Sequence, residues 1–316
     1  MIALDANGAD GGPRVIAEGA RRAAADVLVF GPAIELEGLA SVVDAPRFVS
    51  NDEHPLDALR AGPDASIAQA ARAVGGGRAH ALVSAGHTGA TLAASLEHIG
   101  LLEGVERAAL GVLLPGTAGH SALLLDVGAG LRADGPQLVG FAHLGVAFMS
   151  SVAGVDRPRV ALLSVGAEAG KGTPAVLAAG SELARSPLCF VGNVEGGDLL
   201  AHPADVIVCD GFTGNIALKA IEGAARSVLG GVRGALASGA RARVGGLLAR
   251  PALRRLAGGL DPDAQGGAIL LGLRRPVVVA HGASSADGVA AAIALARRAV
   301  DERMVERTAA ACELQW

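Results

Sequence analysis

The run Asp205-Val-Ile-Val-Cys-Asp-Gly-Phe-Thr-Gly-Asn-Ile-Ala-Leu-Lys219 gathers the residue types that small-anion chemistry needs. Val206 to Cys209 read as a buried strand. A glycine turn carrying Asp210, Gly211, Thr213, Gly214 and Asn215 follows, and then a helix start bearing Lys219. Backbone N–H groups at a helix start lack intrahelical partners and point at any bound anion. The same spacing fits an ordinary strand-to-helix connection capped by Thr or Asn. The run alone leaves both readings open.

Six more glycine turns widen the case. Asp5, Gly8 and Asp10 lie in Asp5-Ala-Asn-Gly-Ala-Asp-Gly-Gly-Pro13, and Ser84, Gly86, His87, Thr88 and Gly89 lie in Val83-Ser-Ala-Gly-His-Thr-Gly-Ala90. Asp126 opens Asp126-Val-Gly-Ala-Gly130, and Gly170, Lys171 and Gly172 close Ser164-Val-Gly-Ala-Glu-Ala-Gly-Lys-Gly172. Asn193 and Glu195 sit in Val191-Gly-Asn-Val-Glu-Gly-Gly-Asp198, and His281 in Ala280-His-Gly-Ala-Ser-Ser285. Of 27 basic residues only Lys171 and Lys219 are lysines, compact cations suited to a phosphate or a developing oxyanion.

Several chemistries are disfavoured. No turn matches Gly-x-Gly-x-x-Gly followed by an acidic residue about 20 positions on. Gly166-Ala-Glu-Ala-Gly-Lys-Gly172 is one residue short of a P-loop and lacks Ser or Thr after the lysine. There is no Gly-x-Ser-x-Gly elbow. The three cysteines, Cys189, Cys209 and Cys312, have no ligand spacing, which predicts a reducing, cytoplasmic setting and no metal site. A net charge of −4 disfavours nucleic acid as a partner. No cofactor is expected. The residues suggest small-anion chemistry, and a reaction that fits them is direct attack by phosphate on an activated acyl group, with the site holding the dianion against the carbonyl and stabilising the tetrahedral oxyanion. Lys171, Asn215 and His281 are the candidates for the catalytic step, and the other turn residues for holding phosphate and substrate.

These turns need a scaffold that points them at a ligand. Strands are expected at Ile2–Asp5, Val27–Phe30, Ala81–Ser84, Ala109–Leu114, Leu123–Val127, Val160–Val165, Val206–Cys209 and Val277–Ala280. Helices are expected at Val15–Ala24, Ser66–Val74, Thr88–Ile99, Pro136–Val152, Pro174–Ala184, Gly214–Leu229 and Ala286–Glu306. This alternation predicts an α/β fold, a mostly parallel sheet between helical layers, with the turns at the carboxyl edge of its strands. No apolar run reaches the roughly 18 residues a membrane span requires, and no leader peptide is read at the N-terminus. No domain boundary is legible, so residues 1–316 are read as one domain.

One segment departs from the alternation. From Gly223 to Leu260 there is no Asp or Glu, while Arg226, Arg233, Arg241, Arg243, Arg250, Arg254 and Arg255 alternate with Val228, Leu229, Val232, Leu236, Val244, Leu247, Leu248, Leu253 and Leu256. A turn at Gly239–Ala240 and a break at Pro251 make this a helical hairpin at about 220–260. Contact with an anionic membrane surface and dimerisation both fit such an element.

In combination these motifs resemble the bacterial phosphate acyltransferases of the PlsX family. The motifs are Asp210-Gly-Phe-Thr-Gly-Asn215 with Lys219, Gly192-Asn-Val-Glu-Gly196, Leu125-Asp-Val-Gly-Ala129, Gly170-Lys-Gly172, and Gly267-Ala-Ile-Leu-Leu-Gly272 before Ala280-His-Gly282. The resemblance implies a three-layer α/β/α sandwich similar to isocitrate and isopropylmalate dehydrogenases and to phosphotransacetylases, with a protruding hairpin. It implies acyl transfer from acyl-acyl-carrier-protein to inorganic phosphate in phosphatidic acid synthesis. It also implies a homodimer, no metal, and hairpin contact with the inner membrane surface. Acyl-CoA or a pathway-specific carrier protein as donor, or an inactive dimeric scaffold, are the competing readings. The chain departs from the family pattern at Asn7, Ala9, Gly11, His87, Gly130, Ala167 and Gly197, and has Gly62-Pro63 where a basic pair is usual.

Overall fold

The computed structural model describes residues 1–23, 25–50, 52–115, 121–259 and 266–313, with 254–259 and 311–313 described by backbone alone. Ala24, Leu260 and the side chains of Arg254, Arg255, Leu256 and Cys312 lie outside the described residues. The strands are β1 (Ile2–Asp5), β2 (Val27–Gly31), β3 (Val42–Asp44), β4 (Leu82–Ser84), β5 (Ala109–Pro115), β6 (Ser121–Leu125), β7 (Arg159–Leu163), β8 (Cys189–Val194), β9 (Val206–Val208), β10 (Ala268–Leu271) and β11 (Val277–Val279). They form one sheet in the order β3-β2-β1-β4-β11-β10-β5-β6-β9-β7-β8.

Successive strand residues face opposite sides, and both sides are covered. Leu4, Val29, Val83, Leu125 and Val208 point into one core, with α1 (Gly12–Ala23), α5 (Gly135–Ser151), α6 (Pro174–Leu183), α9 (Ala286–Asp301) and α10 (Met304–Glu313). Ala3, Phe30, Leu82, Leu124 and Ile207 point into the other, with α3 (Ser66–Gly75) and α4 (Thr88–His98). On that second side α2 (Pro55–Ala61) packs on α4, and α7 (Gly211–Ala237) covers the sheet with Ala217, Leu218 and Ile221. The three expected layers are present.

The sheet is mostly parallel, but three pairings are not: β10 runs against both β11 and β5, and β5 against β6. Short links impose two of these. Residues 116–120 join β5 to β6 and residues 272–276 join β10 to β11, too few for the crossover that parallel neighbours need. One consequence corrects the expectation of a single ligand-facing edge. The carboxyl ends of β1, β4 and β11 emerge at one edge of the sheet, and those of β6, β7, β8 and β9 at the opposite edge.

The hairpin consists of α7 and α8 (Ala240–Gly259). With 27 residues α7 is about 40 Å long, and it buries only Gly211 and Gly214. Gly246 lets α8 approach Leu236, while Val228, Val244, Leu247 and Leu248 are exposed. Pro251 does not break the segment as expected: it lies inside α8. The expected helix over Ala286–Glu306 is split instead, at Arg303, whose φ of 53° is left-handed. No helix among the described residues is long and apolar enough to cross a membrane.

Candidate active site

At the first edge the turns after β1, β4 and β11 are tied together. Ser84 Oγ donates to Asp5 Oδ2 at 2.8 Å and accepts from Gly86 N at 3.1 Å. Asn7 N donates to Asp5 Oδ1 at 3.3 Å, and Asn7 Nδ2 to Ala45 O at 2.9 Å. Burial pushes the Asp5 carboxyl up to about 6, against the pull of Ser66, Ser84 and Asn7 N–H. Ser66 Oγ acts here by proximity, since it is buried without a hydrogen bond of good geometry. Gly8, with φ 80°, passes so close that a Cβ would lie 2.9 Å from Gly86 Cα. Asp10 N donates to Gly282 O at 2.8 Å, joining the first turn to the His281 turn.

His87, where the family pattern has Asn, caps α4: its Nδ1 accepts from Gly89 N at 3.0 Å and Ala90 N at 3.3 Å. His281 Nδ1 accepts from Ala283 N at 3.1 Å. In each ring the backbone donor leaves Nε2 as the protonated nitrogen.

At the opposite edge Asp126 organises its turn. Its Oδ1 accepts from Leu110 N (3.0 Å), Gly128 N (2.9 Å) and Ala129 N (2.8 Å), and its Oδ2 from Gly130 N (2.9 Å). Burial raises its pKa while those four donors pull it down. The N-terminus of α7 packs onto this turn. A Cβ on Gly211 would meet Gly130 O, and one on Gly214 would meet Asp126 O and lie 2.8 Å from Cys209 Sγ. The Cys209 thiol is buried, donates to Asp126 O at 3.3 Å, and has its pKa pushed up by that burial.

Gly214→Ala is therefore expected to cost about 3 kcal/mol, since backbone atoms cannot yield as a flexible side chain does. The melting temperature should fall by roughly 6–10 °C. Gly230→Ala, in open space on the same helix, should be neutral or stabilising by up to about 1 kcal/mol. Equal melting shifts for the two would refute the packing argument.

Three expected ligands, Asp210, Thr213 and Asn193, turn out to be engaged within the protein. Asp210 caps α7, accepting from Thr213 N at 2.9 Å and Thr213 Oγ1 at 2.8 Å. A carboxylate already sits where an anion would sit at this helix start, so Asp210 and Thr213 shape the turn rather than face a ligand in this state. Asn193 Nδ2 donates to Glu168 O at 3.0 Å and Lys171 O at 3.2 Å, bracing the turn of Gly170, Lys171 and Gly172. Glu195 N donates to Asp198 Oδ2 at 3.4 Å in an exposed turn. At Gly130 a side chain would collide with the Arg107 guanidinium, which donates to Arg132 O at 2.8 Å and fills that space.

A cavity of about 360 Å³ connects the two edges, lying on the second side of the sheet between α4 and α7. Thr88, Gly267 and His281 stand at one end, and Gly128, Gly211 and Asn215 at the other. Four residue steps along β5, from Leu110 to Leu114, separate these levels, or roughly 13 Å. The expected catalytic trio is thus divided. Asn215 and His281 line the cavity at opposite ends, while Lys171 is exposed on the turn after β7, outside the lining but at the same sheet edge as Asn215.

Lys219 also lines the cavity, paired with Glu222 at 2.9 Å. The sequence reading passed over Glu222, although its i+3 spacing from Lys219 on a helix was the available signal. It passed over the apolar wall as well. No cluster of metal-ligating groups occurs among the described residues.

Residues 1–307 match the sequence family described as fatty acid synthesis protein. A phosphate acyltransferase of Heliobacterium modesticaldum is 42% identical over 319 residues, covering 96% of this chain and 95% of its own length. A phosphotransacetylase from Streptococcus pyogenes aligns with a TM-score of 0.62 at 19% identity, over 95% of this chain and 94% of that one. A 4-hydroxythreonine-4-phosphate dehydrogenase from Klebsiella pneumoniae gives 0.54 at 17% identity, over 94% and 98%. These two structural likenesses show the fold, which is the one expected from the sequence.

Proposed function

The chain belongs to the fatty acid synthesis protein family, whose curated relatives are phosphate acyltransferases, and we propose that it transfers an acyl group from acyl-acyl-carrier-protein to inorganic phosphate for phosphatidic acid synthesis. It is an acyltransferase. The observation that carries the finer reading is the cavity between α4 and α7, apolar along its length and polar at both ends.

The reaction needs little from the protein beyond position and charge. A phosphate oxygen attacks the thioester carbonyl, the carbonyl π electrons move to oxygen, and collapse of that oxyanion expels the thiolate, which takes up a proton. Asn215, on the second turn of α7, presents an amide that can donate to the oxyanion. Lys171, on the neighbouring turn, supplies an ammonium for the phosphate. His281 and Thr88 stand roughly 13 Å away along β5, so they meet a different part of the substrate from Asn215.

The enzyme works in the cytoplasm as a homodimer. The exposed Val228, Val244, Leu247 and Leu248 of the hairpin, beside Arg226, Arg233, Arg241 and Arg243, support contact with a second copy and with an anionic membrane surface.

Trapping acyl-phosphate with hydroxylamine, with carrier-protein and CoA thioesters in parallel, tests the reading. Lys171→Ala and Asn215→Ala should each lower kcat at least about 100-fold. Undiminished turnover in either variant would remove that residue from the mechanism. Absence of product with every donor would overturn the proposal.

A further inference from the structure

The cavity is larger and more apolar than phosphate and a thioester carbonyl require. Leu110, Val112 and Leu114 of β5 form one wall, and Phe212, Leu218 and Ile221 of α7 form the facing wall. On α7 the lining residues Asn215, Leu218, Lys219 and Glu222 recur at i, i+3, i+4 and i+7, so one stripe of the helix faces the cavity, with Phe212 and Ile221 flanking it on either side. The charges on that stripe, Lys219 and Glu222, neutralise each other at 2.9 Å. At the Asn215 end, Leu131 and Phe212 are 74% and 58% exposed, forming an apolar lip. A volume near 360 Å³ is within the range of small-molecule sites and far beyond one phosphate.

We propose that this groove between β5 and α7 holds the hydrocarbon tail of the acyl donor, and that Val112 and Leu218, one on each wall between its two ends, set which chain lengths are accepted. The inference rests on the acyl-transfer reading and deepens it. A tail lying between the polar ends replaces water along the apolar wall, so each added methylene strengthens binding until the groove is full. The argument does not depend on which end holds the thioester. A plug at mid-groove leaves room for a short acyl group in either half and for a long one in neither. Val112 and Leu218 are half-buried, their exposed surface facing the cavity, so larger side chains there grow into the groove rather than into the packed core.

The test is kcat/KM for carrier-protein and CoA thioesters of butanoate, octanoate and hexadecanoate, in the wild type, Val112→Phe and Leu218→Trp. For the wild type kcat/KM should rise with chain length, by up to about fourfold per methylene before the groove is filled. In each variant the hexadecanoyl-to-butanoyl ratio should fall at least tenfold. Thermal melts identify any variant that fails to fold, and the other variant, from the opposite wall, then decides. A ratio unchanged in a folded variant, or no dependence on chain length in the wild type, overturns the groove assignment while leaving acyl transfer intact. Failure of the wild type with every thioester instead overturns acyl transfer itself.

Discussion

Asp126→Asn is expected to lower stability by about 3 kcal/mol and kcat/KM by about two orders of magnitude. The carboxylate receives four backbone N–H groups, three on Oδ1 and one on Oδ2. An amide keeps a single acceptor oxygen and turns NH₂ toward one set of these donors. At least Gly130 N then loses its partner in a site that is almost closed to water, and the bonds that remain lose their charge assistance. The loss spreads because Gly128 lines one end of the cavity, and Gly211 and Gly214 pack on the same turn without a Cβ between. A shift of about 1 Å there moves Asn215 relative to the bound acyl group, enough to cost about 100-fold in rate. A melting temperature within about 1 °C of the wild type, or full kcat/KM, would show that the turn holds without the charge. Asp126→Ala should be worse in both measures, since it orphans all four donors.

How much of this was legible beforehand follows from what each signal encodes. Runs such as Val206 to Cys209 and Ala109 to Leu114 announce strands covered on both sides, and they are strands here. Periodicity carries no sign of strand direction. The reversal between β5 and β6 was therefore missed, although the shortness of residues 116–120 was the signal for it, and β10, the buried run Ala268–Leu271, was not read as a strand at all. Short edge strands were missed for another reason: β3 and β8 are half-exposed and lack a continuous apolar run.

The glycine turns were legible, but the bonds that their side chains make within the turns were not. Asp210, Asp126 and His87 accept backbone N–H groups of their own turns, and Thr213 Oγ1 donates to Asp210 Oδ2, as short polar side chains do at helix starts and tight turns generally. The wall of the cavity was invisible because Leu110, Val112, Leu218 and Ile221 carry no chemistry. They become a site only when β5 and α7 are placed face to face.

The wild-type chain should lose stability as pH rises from about 4 to about 6, and Asp5→Asn should abolish much of that loss. Asp5 is buried, and its pKa stands near 6 against an ordinary 3.8. Between these values the folded chain holds a proton that the unfolded chain has released, so stability falls as pH rises through the window and is flat above it. The difference of roughly two pKa units corresponds to about 3 kcal/mol, present below pH 4 and absent above pH 6. Asn keeps an acceptor for Ser84 Oγ and cannot ionise. It also turns NH₂ toward Asn7 N–H, a mismatch costing about 1 kcal/mol that does not vary with pH.

The decisive quantity is therefore the difference in melting temperature between variant and wild type at pH 8 and at pH 4.5. The variant should gain several degrees on the wild type between these two pH values. Parallel curves would mean that Asp5 does not titrate in this window. A charge held at neutral pH at such cost belongs where function requires it. Ionised Asp5 accepts from Ser84, freeing Ser84 Oγ to accept from Gly86 N, and the turn thus held leads directly into Thr88 at the cavity. Asp5→Asn should for that reason trade the gained stability against a lower kcat/KM at pH 8, and a variant that gains both would refute a positioning role for this carboxylate.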